Sequence, residues 1–139
     1  MVERAFSPVV SLLSVSAVWE TQLTEQLRDL GLTTRKLGLL AHIEATPGIS
    51  FSELGRRSHI TVQSTHSALQ TLVADGLVAD VATSAGAASD LRITERGTGV
   101  LRSAEERVAG LDARLSADAP ALAAALAGLH ERSVESHGG

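Results

Sequence analysis

Uncharged hydrogen-bonding side chains are concentrated in one stretch of the sequence, TVQSTHSALQTLVADGLV, at residues 61–78. The first ten residues of this stretch carry hydroxyl, amide and imidazole groups and no Asp, Glu, Lys or Arg. Glutamine can pair with adenine through two hydrogen bonds, and Ser or Thr can bind bases or phosphates. These residue types favour contact with a nucleic-acid groove, and the alternative interpretation is a solvated polar helix face. The candidate contact residues are Thr61, Gln63, Ser64, Thr65, His66, Ser67 and Gln70.

Catalytic and metal-binding patterns are not recognisable in this sequence. The absence of cysteine excludes disulfides, thiol catalysis and cysteine-ligated metals. No two of the five histidines are four residues apart, so the sequence lacks a helical zinc-binding pair. Gly97 and Gly99 lie at the start of a predicted helix, and Glu105 and Glu106 point in different directions on that helix. We therefore predict that the protein is not an enzyme and has no metal or cofactor.

The polar residues begin a predicted helix whose other face is apolar. Gly76 ends this helix, and the predicted buried stripe consists of Val62, Leu69, Leu72 and Val73. Residues 52–60, SELGRRSHI, predict a preceding helix, and a tight turn at 58–61 separates the two helices. This spacing is typical of a helix-turn-helix, whose second helix enters the major groove of DNA.

A predicted β-hairpin follows the helix-turn-helix. LVADVAT at 77–83 and DLRIT at 90–94 predict two strands, which the glycine-containing segment SAGAAS at 84–89 connects. Upstream, residues 33–46 predict another helix that begins at a threonine cap and ends before a Pro-Gly pair. The order of elements therefore predicts a winged helix.

Two long helical segments flank this lobe. Ser7 and Pro8 form a helix start signal, because a serine oxygen caps free N–H groups and proline suits the first turn. The apolar stripes of both flanking segments are longer than one winged domain can cover, which indicates an interface with a second copy. The predicted fold class is mainly α with a small β-hairpin wing, a winged helix-turn-helix flanked by N- and C-terminal dimerisation helices. The predicted boundaries are a single domain at 1–139, dimerisation helices at 8–30 and 98–133, and a DNA-binding lobe at 33–97.

Composition and charge limit the class of protein. The 139 residues fit one domain, and because only 2% are aromatic we expect an aliphatic core of packed helices. The formal net charge is −4, so any binding to nucleic acid must depend on local patches. The apolar run at 9–18 is interrupted by serines and is too short to span a bilayer. We expect a cytoplasmic protein without a targeting signal or a membrane partner.

The central segment resembles the MarR family of bacterial transcription factors. The resemblance is carried by LTTRKLGLLAHIEATPGISFSELGRRSHITVQSTHSALQTLVADGLV and, further on, LRITERG, and covers roughly residues 30–115. The shared features are a G-L-T opening, a P-G turn, an S-x-L helix start, a D/R-G-L-V exit and an L-T-x-x-G strand end. The resemblance implies an obligate homodimer, a recognition helix starting near Thr61 and a β-wing at 77–94. It also implies a repressor that binds a double-stranded, pseudo-palindromic DNA operator and responds to a small ligand.

The sequence departs from this family where positive charge is expected. Members usually carry an arginine in the recognition helix and a D-x-R pair in the wing, and the matching positions here are Ser67, Ala85 and Ala87. Residues 47–99 contain four arginines and five carboxylates, so the lobe is slightly acidic. Phosphate contacts supply most non-specific DNA affinity, so we expect weaker binding and a shallower salt dependence than in relatives.

A few cations remain near the predicted interface. They are candidate phosphate contacts, with ordinary solvated surface charge as the alternative, and comprise Arg35, Lys36, Arg56, Arg57 and Arg92. Their small number keeps open a second class of function, a winged-helix dimer with weak DNA binding that acts as a protein- or ligand-binding module.

Trp19 and His42 are the candidate ligand-pocket residues. Flat aromatic or phenolic effectors stack well on such side chains, and the family cleft lies between the DNA-binding lobe and the dimerisation helices. The alternative for Trp19, the only tryptophan, is packing in the core or the dimer interface.

Overall fold

The computed structural model describes residues 5–82, 84 and 86–137. The chain divides into two compact units, Met1–Glu105 and Glu106–Gly139. The elements in chain order are α1 (Pro8–Leu27), a short 3-10 helix (Arg28–Leu30), α2 (Thr34–Ala45), α3 (Phe51–Ser58), α4 (Val62–Ala74), β1 (Val78–Asp80), β2 (Leu91–Ile93), α5 (Glu95–Asp118) and α6 (Pro120–His137). This is the predicted order of a winged helix-turn-helix with flanking helices.

Hydroxyl side chains cap four of these helices, and the caps of α1 and α2 are those that the sequence predicts. Ser7 and Thr33 accept hydrogen bonds from the backbone N–H groups three residues on, at the starts of α1 and α2. Ser50 and Thr61 do the same for α3 and α4. Each cap satisfies a backbone donor that has no partner within its helix.

Glycines in the left-handed backbone region end two segments where the sequence predicts a stop. Gly31 has φ 70° after the 3-10 turn, and Gly76 has φ 76° after α4. The first helix is shorter than predicted, because its regular α-helical part stops at Leu27 and the 3-10 turn continues to Leu30. Tightening of a last turn in this manner is common at helix ends.

The core of the first unit consists almost entirely of aliphatic side chains, as the composition predicts. Leu39, Leu40 and Ile43 of α2 are fully buried or nearly so, and they form one cluster with Leu54 of α3 and Leu72 of α4. The central position of α2 fixes α3 and α4 relative to each other.

The two strands form an antiparallel hairpin that is shorter than predicted. Val78 pairs with Ile93 and Asp80 with Leu91, so regular pairing covers three residues on each strand instead of the predicted seven and five. Ile49 makes an isolated bridge to Leu91 and thereby attaches the hairpin to the segment before α3. Among the described residues, no helix is both long enough and apolar enough to cross a lipid bilayer.

Candidate nucleic-acid interface

The turn between α3 and α4 positions the polar helix. His59 adopts the left-handed conformation with φ 54° directly after α3, and Thr61 then caps α4 by accepting a hydrogen bond from Ser64 N at 3.1 Å. Because the Thr61 Oγ1 acceptor is engaged in this cap, its main local role is to begin the helix.

The α4 helix has one buried and one exposed face. The buried residues are Thr65, Ala68 and Leu72, whose spacing follows the helical repeat. The exposed polar face comprises Gln63, His66, Ser67 and Gln70, and Ser64 is half-buried at its edge. The structure therefore brings most of the predicted contact residues together on one solvent-facing surface.

Thr65 is a correction to the predicted contact set. Its side chain is fully buried, and Oγ1 donates a hydrogen bond to the carbonyl oxygen of Thr61 at 2.9 Å. It packs against α3 at Gly55, where an added Cβ would lie 3.4 Å from the Thr65 oxygen. A side chain enclosed in this manner cannot reach a nucleic acid.

The predicted apolar stripe of α4 also needs correction. Val62 and Val73 are 74% and 44% exposed, whereas Leu72 is buried and Leu69 is partly buried against the core. The helix is rotated about its axis relative to the prediction, so that Thr65 and Ala68 occupy the places expected for the two valines.

A ring contact that the sequence analysis did not identify supports the exposed face. The rings of Phe51 and His66 meet edge to face, with centroids 6.1 Å apart and planes at 79°. Edge-to-face geometry is a favourable arrangement for aromatic pairs. Phe51 begins α3, so this contact connects the first residue of that helix to the exposed face of α4.

The arginines of α3 are paired with a carboxylate on the same helix. Glu53 contacts Arg56 and Arg57, both at 2.9 Å, and Arg57 also donates to Thr46 Oγ1 at 2.8 Å. The hydrogen bond from Arg57, with the charges of both arginines, lowers the pKa of Glu53. All three charged side chains remain solvent-accessible, so phosphate oxygens could replace Glu53 as partners at little cost.

The described contacts of the wing involve two aspartates, one of which neutralises its arginine. Arg92 pairs with Asp90 at 2.8 Å, and Asp80 Oδ1 accepts backbone hydrogen bonds from Ala82 and Asp90. These backbone donors lower the pKa of Asp80. Of the two wing positions where the family usually has D-x-R, Ala87 is exposed and Ala85 lies outside the described residues.

Three cations of the first unit have no carboxylate partner among the residues that the structure describes. Arg35 is exposed in the first turn of α2, beside half-buried Lys36. Arg96, at the start of α5, is also exposed; it is one of the four arginines counted in the lobe but was not among the predicted phosphate contacts. A single arginine next to a glycine belongs to no periodic pattern, so its sequence context does not indicate a phosphate contact.

The cavity that His42 lines does not include Trp19, the other candidate pocket residue. His42 lines a cavity of about 310 Å³ between α2 and α3, together with Arg35, Arg57 and Ile60. Trp19 is half-buried on α1 and is not part of that lining. Within the described part of the chain, no group of three or more His, Asp or Glu side chains is placed to hold a metal ion.

The fold and this face define a winged helix-turn-helix protein. A family model described as MarR family matches residues 30–87. The HTH-type transcriptional repressor Rv2887 of Mycobacterium tuberculosis (strain ATCC 25618 / H37Rv) is 34% identical over 107 residues, which cover 76% of this chain and 77% of that protein. The chain belongs to the MarR family, which confirms the resemblance seen in its sequence.

Solved structures agree with this assignment. The complex of the M. tuberculosis MarR family protein Rv2887 with salicylic acid is 30% identical, with a TM-score of 0.71 over 91% of this chain and 96% of that chain. The complex of Rv2887 with DNA is 28% identical, with a TM-score of 0.74 over 92% and 98% of the two chains. A structure of MarR, 20% identical, covers 95% and 98% of the two chains with a TM-score of 0.76 and shares the fold.

Proposed function

We propose that this chain is a sequence-specific DNA-binding transcriptional regulator, a ligand-responsive repressor that acts as a homodimer. The observation that carries the proposal is the exposed polar face of α4, opposite the buried Thr65, Ala68 and Leu72. A relative with 28% identity has been solved in complex with DNA, and curated relatives are transcriptional repressors. The role requires no catalysis, and we place it in the cytoplasm, where the DNA is.

In the proposed complex, α4 lies in the major groove and its exposed amides read base edges. Gln63 and Gln70 are the candidate base readers, since a glutamine amide offers both a donor and an acceptor to adenine. The hydroxyls of Ser64 and Ser67 and the imidazole of His66 supply additional contacts to bases or phosphates.

Phosphate contacts position the helix in this proposal. Arg56 and Arg57 exchange Glu53 for phosphate oxygens, and Arg92 contributes from the wing after leaving Asp90. Arg35 and Lys36 reach the backbone from the start of α2. Each paired arginine must leave its carboxylate before it can contact a phosphate. The net gain in binding free energy per phosphate contact is therefore smaller than for a cation without a partner.

The homodimer is supported by the exposed apolar surface of α1. Large aliphatic or aromatic side chains on and before this helix are exposed, namely Phe6, Val9, Val10, Leu12, Leu13, Val15 and Val18. So many exposed large apolar side chains close together in the sequence favour an interface. Two-fold symmetry would present two recognition helices to a pseudo-palindromic operator.

A small aromatic or phenolic effector is the proposed ligand. Structures of the relative Rv2887 contain salicylic acid and p-aminosalicylic acid. Trp19 and His42 remain the candidate pocket residues in this proposal. Ligand binding to the homodimer is the measurement that tests whether both contribute to one pocket.

Selection of bound fragments from random double-stranded DNA tests the proposal directly. We expect a two-fold symmetric consensus with half-sites about one helical turn apart.

Gln63→Ala should weaken binding to the selected site by about 1 to 3 kcal/mol and binding to random DNA much less. Arg57→Ala should weaken binding to selected and random DNA alike and reduce the slope of the salt dependence by about one. The control is Arg114→Ala, at an exposed position of α5, which should change neither the affinities nor the salt slope. Equal loss on every sequence for Gln63→Ala would show that this residue does not read bases.

A second function is favoured by the charge of the lobe. Arg56, Arg57 and Arg92 are each paired with a carboxylate, which is consistent with weak DNA binding and a role as a protein- or ligand-binding module. Absence of any enriched sequence in the selection, with intact dimers, would favour this alternative.

A further inference from the structure

A cavity of about 580 Å³ lies between α4, the start of α3 and the wing. Its apolar lining consists of Phe51, Leu69, Val73, Ala74 and Leu91. His66 and Gln70 of α4 also line it. Its volume is in the range of small-molecule sites. The cavity lies directly beside the polar face proposed to contact DNA.

The lining of this cavity suits an aromatic molecule. The edge-to-face pair of Phe51 and His66 contributes an aromatic wall, and the N–H of Phe51 donates to Ser89 Oγ at 2.6 Å, which holds the wing against α3. Leu69 and Leu91 are anchored in the core, so the apolar surface is largely pre-formed.

The charge of the cavity is set by one carboxylate. Asp80 is the only Asp, Glu, Lys or Arg among its described lining residues. Oδ1 accepts the N–H groups of Ala82 at 3.1 Å and Asp90 at 3.0 Å, and within the described residues Oδ2 accepts no hydrogen bond. The same backbone bonds lower the pKa of Asp80, so the group is ionised at neutral pH. A carboxylate ligand would be repelled here, whereas a cation would be attracted.

We propose that this cavity binds a flat aromatic cation, such as an aromatic amidinium or amine, in preference to an aromatic carboxylate. The preference is opposite in charge to the salicylic acid found with the relative Rv2887. Aromatic stacking against Phe51 and His66 and attraction to Asp80 act on the same ligand.

Occupation of the cavity would interfere with DNA binding, a consequence that rests on the proposed function. His66 and Gln70 line the cavity and also belong to the exposed polar face of α4. A molecule bound in the cavity covers part of these two side chains, so ligand and operator compete for them.

Benzamidine and benzoate, two probes of nearly the same shape and opposite charge, test the ligand class. Their binding to the full chain is followed without DNA by NMR titration of the methyl groups of Leu69, Val73 and Leu91. We expect benzamidine to shift these signals and to bind at least about fivefold more tightly than benzoate. Equal or tighter binding of benzoate, or no methyl shift with benzamidine, would overturn the proposal.

Two matched variants separate a local effect of Asp80 from the general charge of the wing. Asp80→Asn retains the Oδ1 acceptor and should reduce the preference for benzamidine to within about twofold. Asp90→Asn changes the net charge equally outside the cavity and should preserve the preference. If both variants lose the preference for benzamidine over benzoate to the same extent, a site at Asp80 is excluded. Should Asp80→Asn not fold, benzamide supplies the uncharged comparison on the unaltered protein and should bind more weakly than benzamidine.

A separate measurement with the selected operator tests the competition. Benzamidine should weaken operator binding more than benzoate at equal ionic strength, and Val73→Phe, which fills the cavity from its exposed side, should remove the difference. If the methyl shifts occur and DNA binding is unaffected, the site stands and its coupling to DNA is wrong. If no operator is found, the proposed function fails while the probe titration still decides the site.

Discussion

Individual side chains of α4 divide into those that hold the helix and those that face solvent. Thr65 belongs to the first group, because its side chain is fully buried and its hydroxyl donates a hydrogen bond to the carbonyl oxygen of Thr61. Gln63 and Gln70 belong to the second group. The distinction can be tested by replacing one residue of each kind.

Thr65→Val should leave DNA binding unchanged. Valine has nearly the same shape, and the carbonyl of Thr61 still accepts the backbone N–H of residue 65, at 3.0 Å in this structure. We expect a change of less than about 1 kcal/mol in the free energy of unfolding and less than about twofold in operator affinity. Urea denaturation and a DNA titration measure these effects. A loss of affinity as large as that of Gln63→Ala, at unchanged stability, would place the Thr65 hydroxyl at the DNA.

The wing should loosen in acid because of Asp80. Its folded-state pKa is lowered by the backbone N–H groups of Asp90 and Ala82, so its contribution to stability is present above the unfolded-state pKa and is lost as pH falls through the folded-state pKa. The amide proton shift of Ala82, which has no ionisable side chain of its own, should therefore titrate with a midpoint below 3.8, the ordinary value. A midpoint at or above 3.8, or persistence of the titration in Asp80→Asn, would contradict the assignment.

At the scale of elements, the wing and α5 meet at a tight junction. Thr94 Oγ1 donates to the carbonyl oxygen of Gly76 at 2.6 Å and accepts from Gly97 N at 3.0 Å. A Cβ on Gly97 would overlap the carbonyl oxygen of Leu77 and lie 2.8 Å from Ile93 Cγ1. The glycine therefore allows α5 to pass close to Leu77, the residue before β1, and to Ile93 of β2.

Gly97→Ala should destabilise the fold, and Gly99→Ala two residues later should not. The overlap with Leu77 requires a backbone shift, for which we expect a loss of about 2 to 4 kcal/mol in the free energy of unfolding. Nothing lies within 4 Å of an added Cβ at Gly99, and alanine there should stabilise the helix by about 0.5 to 1 kcal/mol. Chemical denaturation of both variants measures the contrast. Equal effects of the two changes would show that the junction can relax.

At the scale of the whole molecule, the exposed apolar side chains on and just before α1 favour an interface with a partner. Leu13 is 64% exposed in the single chain, and Phe6 is 80% exposed. Monomeric proteins seldom expose so many large apolar groups together. The proposed partner is a second copy of the chain, as in a two-fold symmetric DNA-binding dimer.

Leu13→Glu should dissociate the homodimer. A carboxylate buried on both sides of a symmetric interface is unpaired and costly, so we expect the dimer dissociation constant to rise at least about 100-fold. Thr24→Glu introduces the same charge at an exposed polar position of α1 and serves as control. Sedimentation velocity distinguishes the two variants. A stable Leu13→Glu dimer would place the interface elsewhere, and a folded monomer of the unaltered chain at nanomolar concentration would exclude an obligate dimer.

The sequence by itself determined the order of elements and most of their ends. Caps at Ser7 and Thr33 and stops at Gly31 and Gly76 depend on contacts within a few residues, so local patterns reveal them. The family motifs then identified the fold. Of the contact residues predicted within α4, Gln63, His66, Ser67 and Gln70 are exposed, Ser64 is half-buried and Thr65 is buried.

The tertiary structure alone decided which way α4 is rotated and which partners its neighbours take. Several apolar and small residues at helical spacing allow more than one buried stripe, and packing against α2 and α3 selected Thr65 and Ala68 over Val62 and Val73. The cavity at Asp80 likewise joins residues far apart in the sequence. Such contacts depend on how the elements pack, because no local periodicity encodes the distance between side chains on different helices and strands.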